Sequence, residues 1–400
     1  MALEINYTTG YAGTGKSHTL IELTNKLPSD TMVVLAPTHK ALHRLKEHLA
    51  GGVEVKTIHA LLGWIPAINE NAQHINHIDT TIKLDKELGE YKNIIIDEAG
   101  MVSEDMFFEI IGKVEEYAVF EEDDSKIDVT IHCFLDPYQL LPVKGQQIQT
   151  DPEFTTNLTK QYRSESSDVV RLYTKFVNYL EGTNNKDLTT PYSENVRKFD
   201  IKEFKRGDRL LAYTNKAVGQ WNKNIAKQLG ITGYEGQEVQ LGSLLDTVLA
   251  IKFIKPTTKD LINWFETGKL ELQNKQINKK FLEASLKALI DNKDIQFIDT
   301  IGGCIYPVIV GIDKANVALK KAKMKAIENK KYFKDVYALG RAYIMDYSFA
   351  TTVHKSQGSE FDTVFVDKND IKKSIMNSYY DTYVRLMYVS ISRAKKFIYI

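Results

Sequence analysis

The sequence has few cysteines and no long apolar segment, and each scarcity excludes a class of protein. Two of the 400 residues are cysteine, Cys133 and Cys304, and they form no C-x-x-C pair. Two lone cysteines far apart in the sequence favour a reducing cytoplasm over a disulfide or zinc framework. The apolar runs are shorter than about a dozen residues, whereas a membrane helix needs about 20. The first ten residues lack the basic start and apolar core of a signal peptide.

The chain also lacks a net charge. Its 52 basic residues balance 52 acidic residues, which excludes a uniformly basic coat and restricts any nucleic-acid contact to a local groove. Positive charge is concentrated in 314–334, which holds eight lysines and a single acid, Glu328. A solvated helix explains this segment most simply, and an outer contact to duplex or displaced strand is the alternative. The length, with 43% hydrophobic and 26% charged residues, predicts a globular protein of two or three domains.

The sequence is dominated by predicted strands that alternate with predicted helices. The first strands are predicted at "LEINYTT", "TMVVLAP", "NIIID" and "VTIHCFLD", with helical segments between them. This order predicts a parallel sheet covered by helices, with ligands at the carboxyl ends of the strands. The same alternation returns in "DRLLAYTN", "YSFATT", "DTVFVD" and "KKFIYI", which predicts a second α/β sheet.

Two insertions interrupt this pattern. Between the strands of the second sheet, β-rich stretches such as "TVLAIKFI" and "GCIYPVIVGI" predict a small inserted β domain over 231–345. In the first half, "HINHIDTTIKL" alternates apolar and polar residues after a turn-forming "INENAQ". This shorter insert, 61–90, is predicted to form a β-hairpin.

A phosphate-binding loop lies near the start of the chain. The stretch "GYAGTGKS" matches G-x-x-x-x-G-K-S/T directly after a predicted strand and before a predicted helix. Its glycines let backbone N–H groups surround phosphate, its lysine neutralises the β and γ oxygens, and its serine hydroxyl completes a Mg²⁺ shell. A chance glycine turn is the alternative. The candidate binding residues are Gly10, Gly13, Thr14, Gly15, Lys16, Ser17 and His18.

Two further strand ends carry candidate catalytic residues. "IIIDEAG" supplies Asp97 for the metal shell and Glu98, whose carboxylate can orient and deprotonate an attacking water. Two acids after a strand can also be a helix cap, but the upstream phosphate loop favours catalysis. "FLDPYQLLPV" places Gln139 where its amide can touch the γ-phosphate or its water, although a plain polar loop residue would look the same.

The order of the motifs resembles that of superfamily 1 helicases, in particular the RecD-like branch that includes the phage Dda helicase. After "GYAGTGKS" come "LAPTHKA", "TIHALLG", "DEAG", "LDPYQLLPV", "LTKQYRS", "AYTNKAV", "TTVHKSQGSEFD" and "YVSISRA". Nine motifs in family order span nearly the whole chain. The family carries an upstream glutamine that reads adenine, and only nine residues precede Gly10 here, so adenine reading by that route is not expected.

This resemblance implies two RecA-like P-loop domains with parallel sheets. It predicts a first ATPase domain over 1–156 and a second over 157–230 and 346–400. The insert in the first would be a small β-hairpin pin, and 231–345 would be a small SH3-like β-rich insert in the second. In the family, ATP lies in the cleft between the two domains.

The resemblance also assigns roles to individual residues around the nucleotide. Arg163 and Arg393 look like arginine fingers that stabilise γ-phosphate charge. The alternative for both residues is an ordinary surface arginine in a helix or loop. Gln357, Gly358 and Glu360 resemble the motif that senses nucleotide and couples it to DNA, and Tyr162 resembles a ring that stacks on the base.

DNA contacts are implied at two further sets of motifs. Short polar side chains and free backbone N–H groups suit phosphate contacts without sequence preference. For the histidines, a satisfied local hydrogen bond is the alternative. The candidates are Pro37, Thr38, His39, Lys40, Thr57 and His59 in the first domain and Thr214, Asn215, Thr352, His354 and Lys355 in the second.

The expected function is therefore that of an ATP-dependent DNA helicase or translocase, a DNA-stimulated ATPase that uses ATP and Mg²⁺. The resemblance implies 5′→3′ travel on single-stranded DNA, separation of forked duplex, and a monomer in a bacterial cytosol or phage-infected host. It implies roles in replication or recombination, with single-strand-binding or replication proteins as partners and no membrane. The rivals are a translocase that displaces bound proteins without strong unwinding and a nucleotide-gated DNA-binding module.

Overall fold

The computed structural model describes most of the chain and divides it into two compact units. The described residues are 3–68, 74–78, 91–118, 128–142, 145–183, 188–241, 244–266, 279–300, 305–328, 343–377 and 380–400. Unit 1 comprises Met1–Arg197, Gln357–Glu360 and Ser374–Ile398. Unit 2 comprises Lys198–Ser356, Phe361–Lys373 and Tyr399–Ile400.

A six-stranded parallel sheet forms the centre of unit 1. Its strands are β1 (Leu3–Gly10), β2 (Met32–Ala36), β3 (Glu54–Thr57), β6 (Asn93–Ile96), β7 (Val129–Leu135) and β8 (Thr155–Leu158). They take the order β3-β2-β6-β7-β1-β8, and every pairing is parallel. Central strands such as "MVVLA" are buried on both faces, which explains their continuous apolar sequence.

Helices cover this sheet, and a hairpin extends from it. The helices of unit 1 are α1 (Lys16–Lys26), α2 (His39–His48), α3 (Ile58–Leu61), α4 (Glu104–Ala118), α5 (Ser167–Leu180) and, late in the chain, α13 (Tyr380–Ile391). The hairpin pairs β4 (Trp64–Ile68) with β5 (His74–Ile78) in antiparallel register, as the sequence predicts. The rest of the predicted insert, 69–73 and 79–90, lies outside the described residues.

Unit 2 contains a second parallel sheet region. Here β16 (Ala350–Thr352), β10 (Arg209–Ala212) and β17 (Phe361–Val366) are neighbours in that order, with parallel pairing. Helix α6 (Asn215–Gln228) follows β10, α10 (Val353–Ser356) follows β16, and α11 (Lys368–Ile371) follows β17. Three further elements of the chain are the late strand β18 (Ala394–Tyr399), the short strand β9 (Val196–Arg197) and helix α12 (Lys373–Asn377).

The inserted β domain is a closed five-stranded barrel. Its strands are β11 (Gln237–Leu241), β12 (Leu244–Ile254), β13 (Gln296–Thr300), β14 (Ile305–Val310) and β15 (Tyr343–Tyr347). Helices α7 (Thr258–Glu266), α8 (Lys279–Asp291) and α9 (Ile312–Glu328) lie between them in sequence. Alternate strand residues such as Val239, Val308 and Met345 fill the barrel, which accounts for the β-branched stretches in the sequence. The α/β fold with a small β-rich insert is thus confirmed.

None of the helices in the described residues is long and apolar enough to span a bilayer.

Candidate nucleotide-binding site

The phosphate loop connects β1 to α1 and depends on its glycines. Gly13 and Gly15 have φ angles of +84° and +92°, which side chains with a Cβ atom rarely adopt. A Cβ atom on Gly10 would lie 2.8 Å from the carbonyl oxygen of Leu158, too close for any other residue. The sequence therefore needs glycine at these positions to keep the loop backbone open toward the start of α1.

Lys16 is held at the mouth of this loop. Its Nζ donates hydrogen bonds to the carbonyl oxygens of Gly10 at 2.7 Å and Tyr11 at 2.8 Å. Burial lowers the pKa of Lys16, while the carboxylates of Asp136 and Glu98 oppose that shift. In a partly buried place such as this, the attraction between an ammonium and a phosphate is stronger than in bulk water.

The candidate catalytic carboxylate, Glu98, lies just after the end of β6. Asp97 is buried, at 2% exposure, and its Oδ1 accepts the N–H of Glu98 at 3.0 Å. Glu98 has a φ of +50° and is the one non-glycine residue with positive φ among the described residues. Such backbone strain concentrates at functional sites. It turns the Glu98 side chain toward Gln139, whose Nε2 donates to Glu98 Oε2 at 3.0 Å.

Two arginines face the same cleft from different segments of unit 1. Arg163 Nε lies 2.8 Å from Glu360 Oε1, and Lys395 Nζ lies 3.4 Å from Glu360 Oε2. Burial raises the pKa of Glu360, but Arg163 and Lys395 outweigh burial, so the net pKa is lowered and the carboxylate is ionised at neutral pH. Arg393 is buried, at 1% exposure, and its Nε donates to the carbonyl oxygen of Val389 at 3.2 Å. Burial lowers the pKa of Arg393 to about 10, so it stays a cation.

These residues line one cleft of about 280 Å³. The predicted residues that line it are Gly13, Gly15, Lys16, Ser17, His18, Asp97, Glu98, Gln139, Tyr162, Arg163, Glu360 and Arg393. Four other predicted residues, Gly10, Thr14, Gln357 and Gly358, are not among the lining residues. Thr14 is buried beneath the loop, where its hydroxyl donates to the carbonyl oxygen of Tyr11 at 2.9 Å.

The cleft fits a nucleoside triphosphate with Mg²⁺. Among the described residues, no group of three or more His, Cys, Asp or Glu side chains could hold a metal alone. Mg²⁺ usually takes one or two carboxylates and completes its shell with waters and substrate phosphates, so Ser17 and Asp97 suffice. Gln139 Oε1 is buried without a hydrogen-bond partner in the described part of the chain. An unpartnered buried acceptor, on a side chain that lines a cleft with three cations, suits a bound water.

Sequence reasoning missed residues that hold the cleft together. Ala12 and His48 line it, and neither carries a signal in the motif. Gln161 and Tyr388 hydrogen-bond to the phosphate loop from 149 and 376 residues away. Both lie in the motifs "KQYRS" and "YVSISRA". The sequence does not show, however, which residue such a side chain contacts when the two are so far apart in the chain.

In unit 1, the predicted DNA-binding threonines cap helices. Thr38 Oγ1 accepts the N–H of Ala41 at 3.2 Å at the start of α2, and Thr57 Oγ1 accepts the N–H of Ala60 at 3.1 Å at the start of α3. Strands β2 and β3 are parallel neighbours, with Ala36 opposite Thr57, so these caps lie at one edge of the sheet. Pro37 precedes the first cap and is half-buried, as is His59 in α3. His39 and Lys40 begin α2, and their side chains lie outside the described residues.

Unit 2 repeats this arrangement. Thr214 Oγ1 accepts the N–H of Ala217 at 3.1 Å at the start of α6, and Thr352 Oγ1 accepts the N–H of Lys355 at 3.2 Å in α10. Ala212 lies opposite Thr352 across the parallel pair of β10 and β16. Asn215 and His354 are exposed beside these caps, and Lys355 is half-buried.

One capping threonine has a second partner that the sequence did not predict. Asp370 Oδ2 accepts the N–H groups of Tyr213 at 2.9 Å and Thr214 at 2.7 Å, and the Thr214 hydroxyl lies 3.1 Å from both Asp370 oxygens. The hydroxyl of Thr214 is therefore engaged on both sides.

Two family models match this chain. Residues 3–142 match a model described as an AAA domain, and residues 347–400 match the UvrD-like helicase C-terminal domain. The first includes the phosphate loop, Glu98 and Gln139, and the second includes Glu360 and Arg393. These matches support a superfamily 1 helicase, the class that the motif order resembles, whereas the RecD-like branch stays a prediction.

Two relatives and two solved structures align with nearly the whole of this chain. An uncharacterized protein of Acanthamoeba polyphaga mimivirus is 23% identical over 98% of this chain and 94% of its own length. An uncharacterized Methanocaldococcus jannaschii protein is 24% identical over 99% of this chain, which spans 36% of that relative. The structures of Bacteroides Pif1 bound to ssDNA and of Pif1 helicase from Candida albicans both align with a TM-score of 0.53. They are 17% and 16% identical and cover 99% of this chain, with 88% and 90% of their own chains aligned. At these identities the likeness shows the fold.

Proposed function

We propose that this protein is an ATP-dependent DNA helicase that hydrolyses ATP to move along single-stranded DNA and separate duplex. The observation that carries the proposal is the cleft of unit 1, which combines a phosphate loop, a strained carboxylate and three cations. The cations are Lys16, Arg163 and Arg393, and the carboxylate is Glu98. This combination suits phosphoryl transfer to water, where negative charge develops on the transferred group.

Each side chain of the cleft has a distinct role in this proposal. Lys16 binds the β and γ oxygens, while Arg163 and Arg393 stabilise the charge that develops on the γ-phosphoryl group. Glu98 takes the proton of the attacking water, and Gln139 fixes the Glu98 carboxylate through their hydrogen bond while offering Oε1 to the same water. Ser17 and Asp97 would hold Mg²⁺, which supplies positive charge to the phosphates.

The DNA-binding part of the proposal rests on the paired helix caps. In both units, each of two neighbouring parallel strands has a threonine at its last residue or two residues beyond it, and this threonine caps the following helix, so backbone N–H groups gather at the strands' carboxyl edge. Backbone amides and hydroxyls there can bind phosphates without reading sequence. Support for a nucleic-acid track comes from two fold relatives: the Bacteroides Pif1 structure contains ssDNA, and a second Pif1 structure describes unwinding at forked dsDNA.

The remaining elements of the proposal follow the resemblance. The two ATPase domains would be 1–156 and 157–230 with 346–400, and the hairpin of β4 and β5 would act as the separating pin. Travel would be 5′→3′. Opening a base-pair step costs roughly 1–2 kcal/mol, which the hydrolysis of one ATP exceeds.

The deciding experiment measures ATPase rate and strand separation side by side. Turnover is measured with and without an oligothymidine strand, and unwinding is measured on forked duplexes with only a 5′ or only a 3′ single-stranded tail. We expect strong stimulation by the strand and unwinding of the 5′-tailed substrate, both lost in Lys16→Ala. Stimulation without unwinding would instead identify a protein-displacing translocase. ATPase activity that ignores DNA would contradict the proposal and favour a nucleotide-gated binding module.

A further inference from the structure

The backbone of Ala12 in the phosphate loop is hydrogen-bonded by two distant side chains. Its N–H donates to Tyr388 Oη at 2.8 Å, and its carbonyl oxygen accepts Gln161 Nε2 at 2.8 Å. Ala12 itself is buried, at 3% exposure. We call these three residues the Ala12 clamp. Since a glycine-rich loop has few side chains of its own, these two bonds fix its backbone from outside.

Tyr388 connects the clamp to the segment that carries Gln139, and its helix leads to Arg393. It is fully buried in α13, and its hydroxyl donates to Asp136 Oδ2 at 2.6 Å. One turn earlier, Arg385 donates to the carbonyl oxygens of Pro137 and Gln139, both at 2.7 Å. Arg393 follows directly after the same helix. A single helix therefore contacts the phosphate loop, binds the segment that carries Gln139, and presents an arginine to the cleft.

Gln161 connects the clamp to the other arginine. Its Oε1 accepts the N–H groups of Tyr162 and Arg163, each at 2.9 Å, while its Nε2 contacts the Tyr173 hydroxyl. The N–H of Tyr162 also lies 2.8 Å from the carbonyl oxygen of Gly13. A Cβ atom at Gly13 would overlap Gln161 Oε1, so this glycine gives Gln161 room to reach the loop. The backbone of Arg163 is thus fixed relative to the phosphate loop.

We propose that Gln161 and Tyr388 are positioning residues of the nucleotide site and that they act through the backbone of Ala12. They hold the loop amides, Arg163 and Arg393 in one fixed relation, so that all three groups meet the same phosphates. The inference rests on the proposed function, because it takes a nucleoside triphosphate as the ligand. Neither residue touches the ligand in this proposal; each fixes groups that do.

The physical effect of the clamp is preorganisation. A loop with two glycines in left-handed conformations has many alternative backbone states, and binding must select one of them. Removing one neutral hydrogen bond to the loop should weaken nucleotide affinity by roughly tenfold, as expected for about 1–1.5 kcal/mol. Turnover should fall further, since both arginines then meet the phosphates less often in the reactive geometry.

The first test needs no nucleotide. Hydrogen–deuterium exchange of the peptide covering 8–19 is measured in wild type, Tyr388→Phe and Gln161→Leu. Tyr383→Phe is the matched control, since it removes a hydroxyl from another buried tyrosine of the same helix. We expect at least about tenfold faster exchange in both clamp variants and no change in the control. Unchanged exchange of this peptide in both clamp variants would overturn the proposal, whatever the ATPase activity of the wild type.

The second test measures coupling through nucleotide affinity. The Kd of a fluorescent ATP analogue is measured for both single variants and for the double variant, with thermal stability as the check on folding. Because the two side chains fix the peptide groups on either side of the same residue, the double variant should lose clearly less than the product of the two single losses. The pair Tyr383→Phe with Gln161→Leu should show only the Gln161 loss. Faster exchange with an unchanged Kd would overturn the positioning role. A wild type that binds no nucleotide would refute the proposed function. In that case the exchange experiment alone would test whether the clamp fixes the loop.

Discussion

Gln139 donates its side-chain N–H to the Glu98 carboxylate at 3.0 Å, while its own side-chain oxygen is buried without a partner among the described residues. The amide thus fixes one oxygen of Glu98 and keeps one acceptor without a partner, on a side chain that lines the cleft. A water held between that acceptor and the carboxylate would have its proton directed toward Glu98. The pair therefore fits activation of water better than either residue does alone.

Glu98→Gln should abolish turnover without weakening nucleotide binding. The substituted amide cannot accept the proton of water, but it keeps the size of the side chain and its place beside Gln139. Lys16→Ala should also abolish turnover, and should weaken binding as well, because Lys16 binds the phosphates directly. Turnover with saturating DNA and the Kd of a non-hydrolysable ATP analogue separate the two. A Glu98→Gln enzyme with near-normal turnover would remove Glu98 from the mechanism.

The phosphate loop and the strand-end acids were predictable because each is local in sequence. The eight residues from Gly10 to Ser17 contain the glycines, the lysine and the serine that identify the loop, and "NIII" before Asp97 identifies the strand that places it. The cap residues share this property, since a threonine between strand and helix, such as Thr38, is itself an N-cap signal.

The supporting hydrogen bonds were not predictable, because they join segments that are far apart. Asp370 binds the backbone at Thr214 across 156 residues, and Tyr388 reaches Ala12 across 376. The sequence around each residue does not identify its partner, which depends on the packing of whole elements. His48 enters the cleft for the same reason, by the direction in which α2 ends rather than by any motif.

Arg163→Ala and Arg393→Ala should each lower turnover by a factor on the order of 10²–10⁵ with little change in ATP affinity. Both cations act on charge that develops only during the reaction. Arg171→Ala is a suitable control, because Arg171 is an exposed arginine on α5. Glu360→Gln should cost less, since it frees Arg163 from its ion pair without removing the cation. An arginine variant that retains more than about a tenth of normal turnover would not be a finger.

Tyr162 should contribute to binding through its ring and not through base-specific hydrogen bonds. The ring is 65% exposed beside Gly15, and the Lys160 ammonium lies 5.0 Å from its centre. Stacking contributes roughly 1–3 kcal/mol with any base. We therefore expect kcat/KM for GTP and dATP within about tenfold of that for ATP. Tyr162→Ala should raise KM for all three alike, and Tyr162→Phe should not. An ATP preference beyond about a thousandfold would require a separate adenine reader.

Lys320 and Lys321 test whether the lysine-rich segment binds DNA. Both are exposed on α9, whose opposite side packs Ala318 and Ala322 into the core beside the barrel. If they bind the phosphates of a single strand, Lys320→Glu with Lys321→Glu should reduce the slope of log K against log salt by about 0.7 for each phosphate that the variant no longer neutralises. Lys372→Glu is a control at another exposed lysine. An unchanged slope would leave the segment as a solvated helix.

Asp370 should stabilise unit 2 at neutral pH and lose that effect in acid. It is 2% exposed and binds the backbone N–H groups of Tyr213 and Thr214 and the Lys373 ammonium. Burial raises the pKa of Asp370, but the Lys373 and Thr214 hydrogen bonds outweigh burial, so its net pKa is lowered. A carboxylate with a lowered folded pKa stabilises the fold above its unfolded pKa of about 3.9 and loses this as pH falls through the folded value.

Asp370→Asn should therefore lower the free energy of unfolding by about 1–3 kcal/mol at pH 7, because the amide cannot match a charged acceptor for these donors. The difference from wild type should begin to shrink below about pH 4, where the unfolded carboxylate takes up a proton, and should be lost below the lowered folded pKa, where the folded carboxylate is neutral as well. Denaturation of the full chain can be followed by tryptophan fluorescence. Trp221 contributes to this signal together with Trp64 and Trp264, and its indole N–H donates to Asp367 at 2.7 Å, close to this site. Lys373→Ala should show a smaller loss with the same pH dependence, and Lys372→Ala should show none. If Asp370→Asn and wild type differed by the same amount at pH 7 and below pH 4, the carboxylate charge would not be what fixes Thr214.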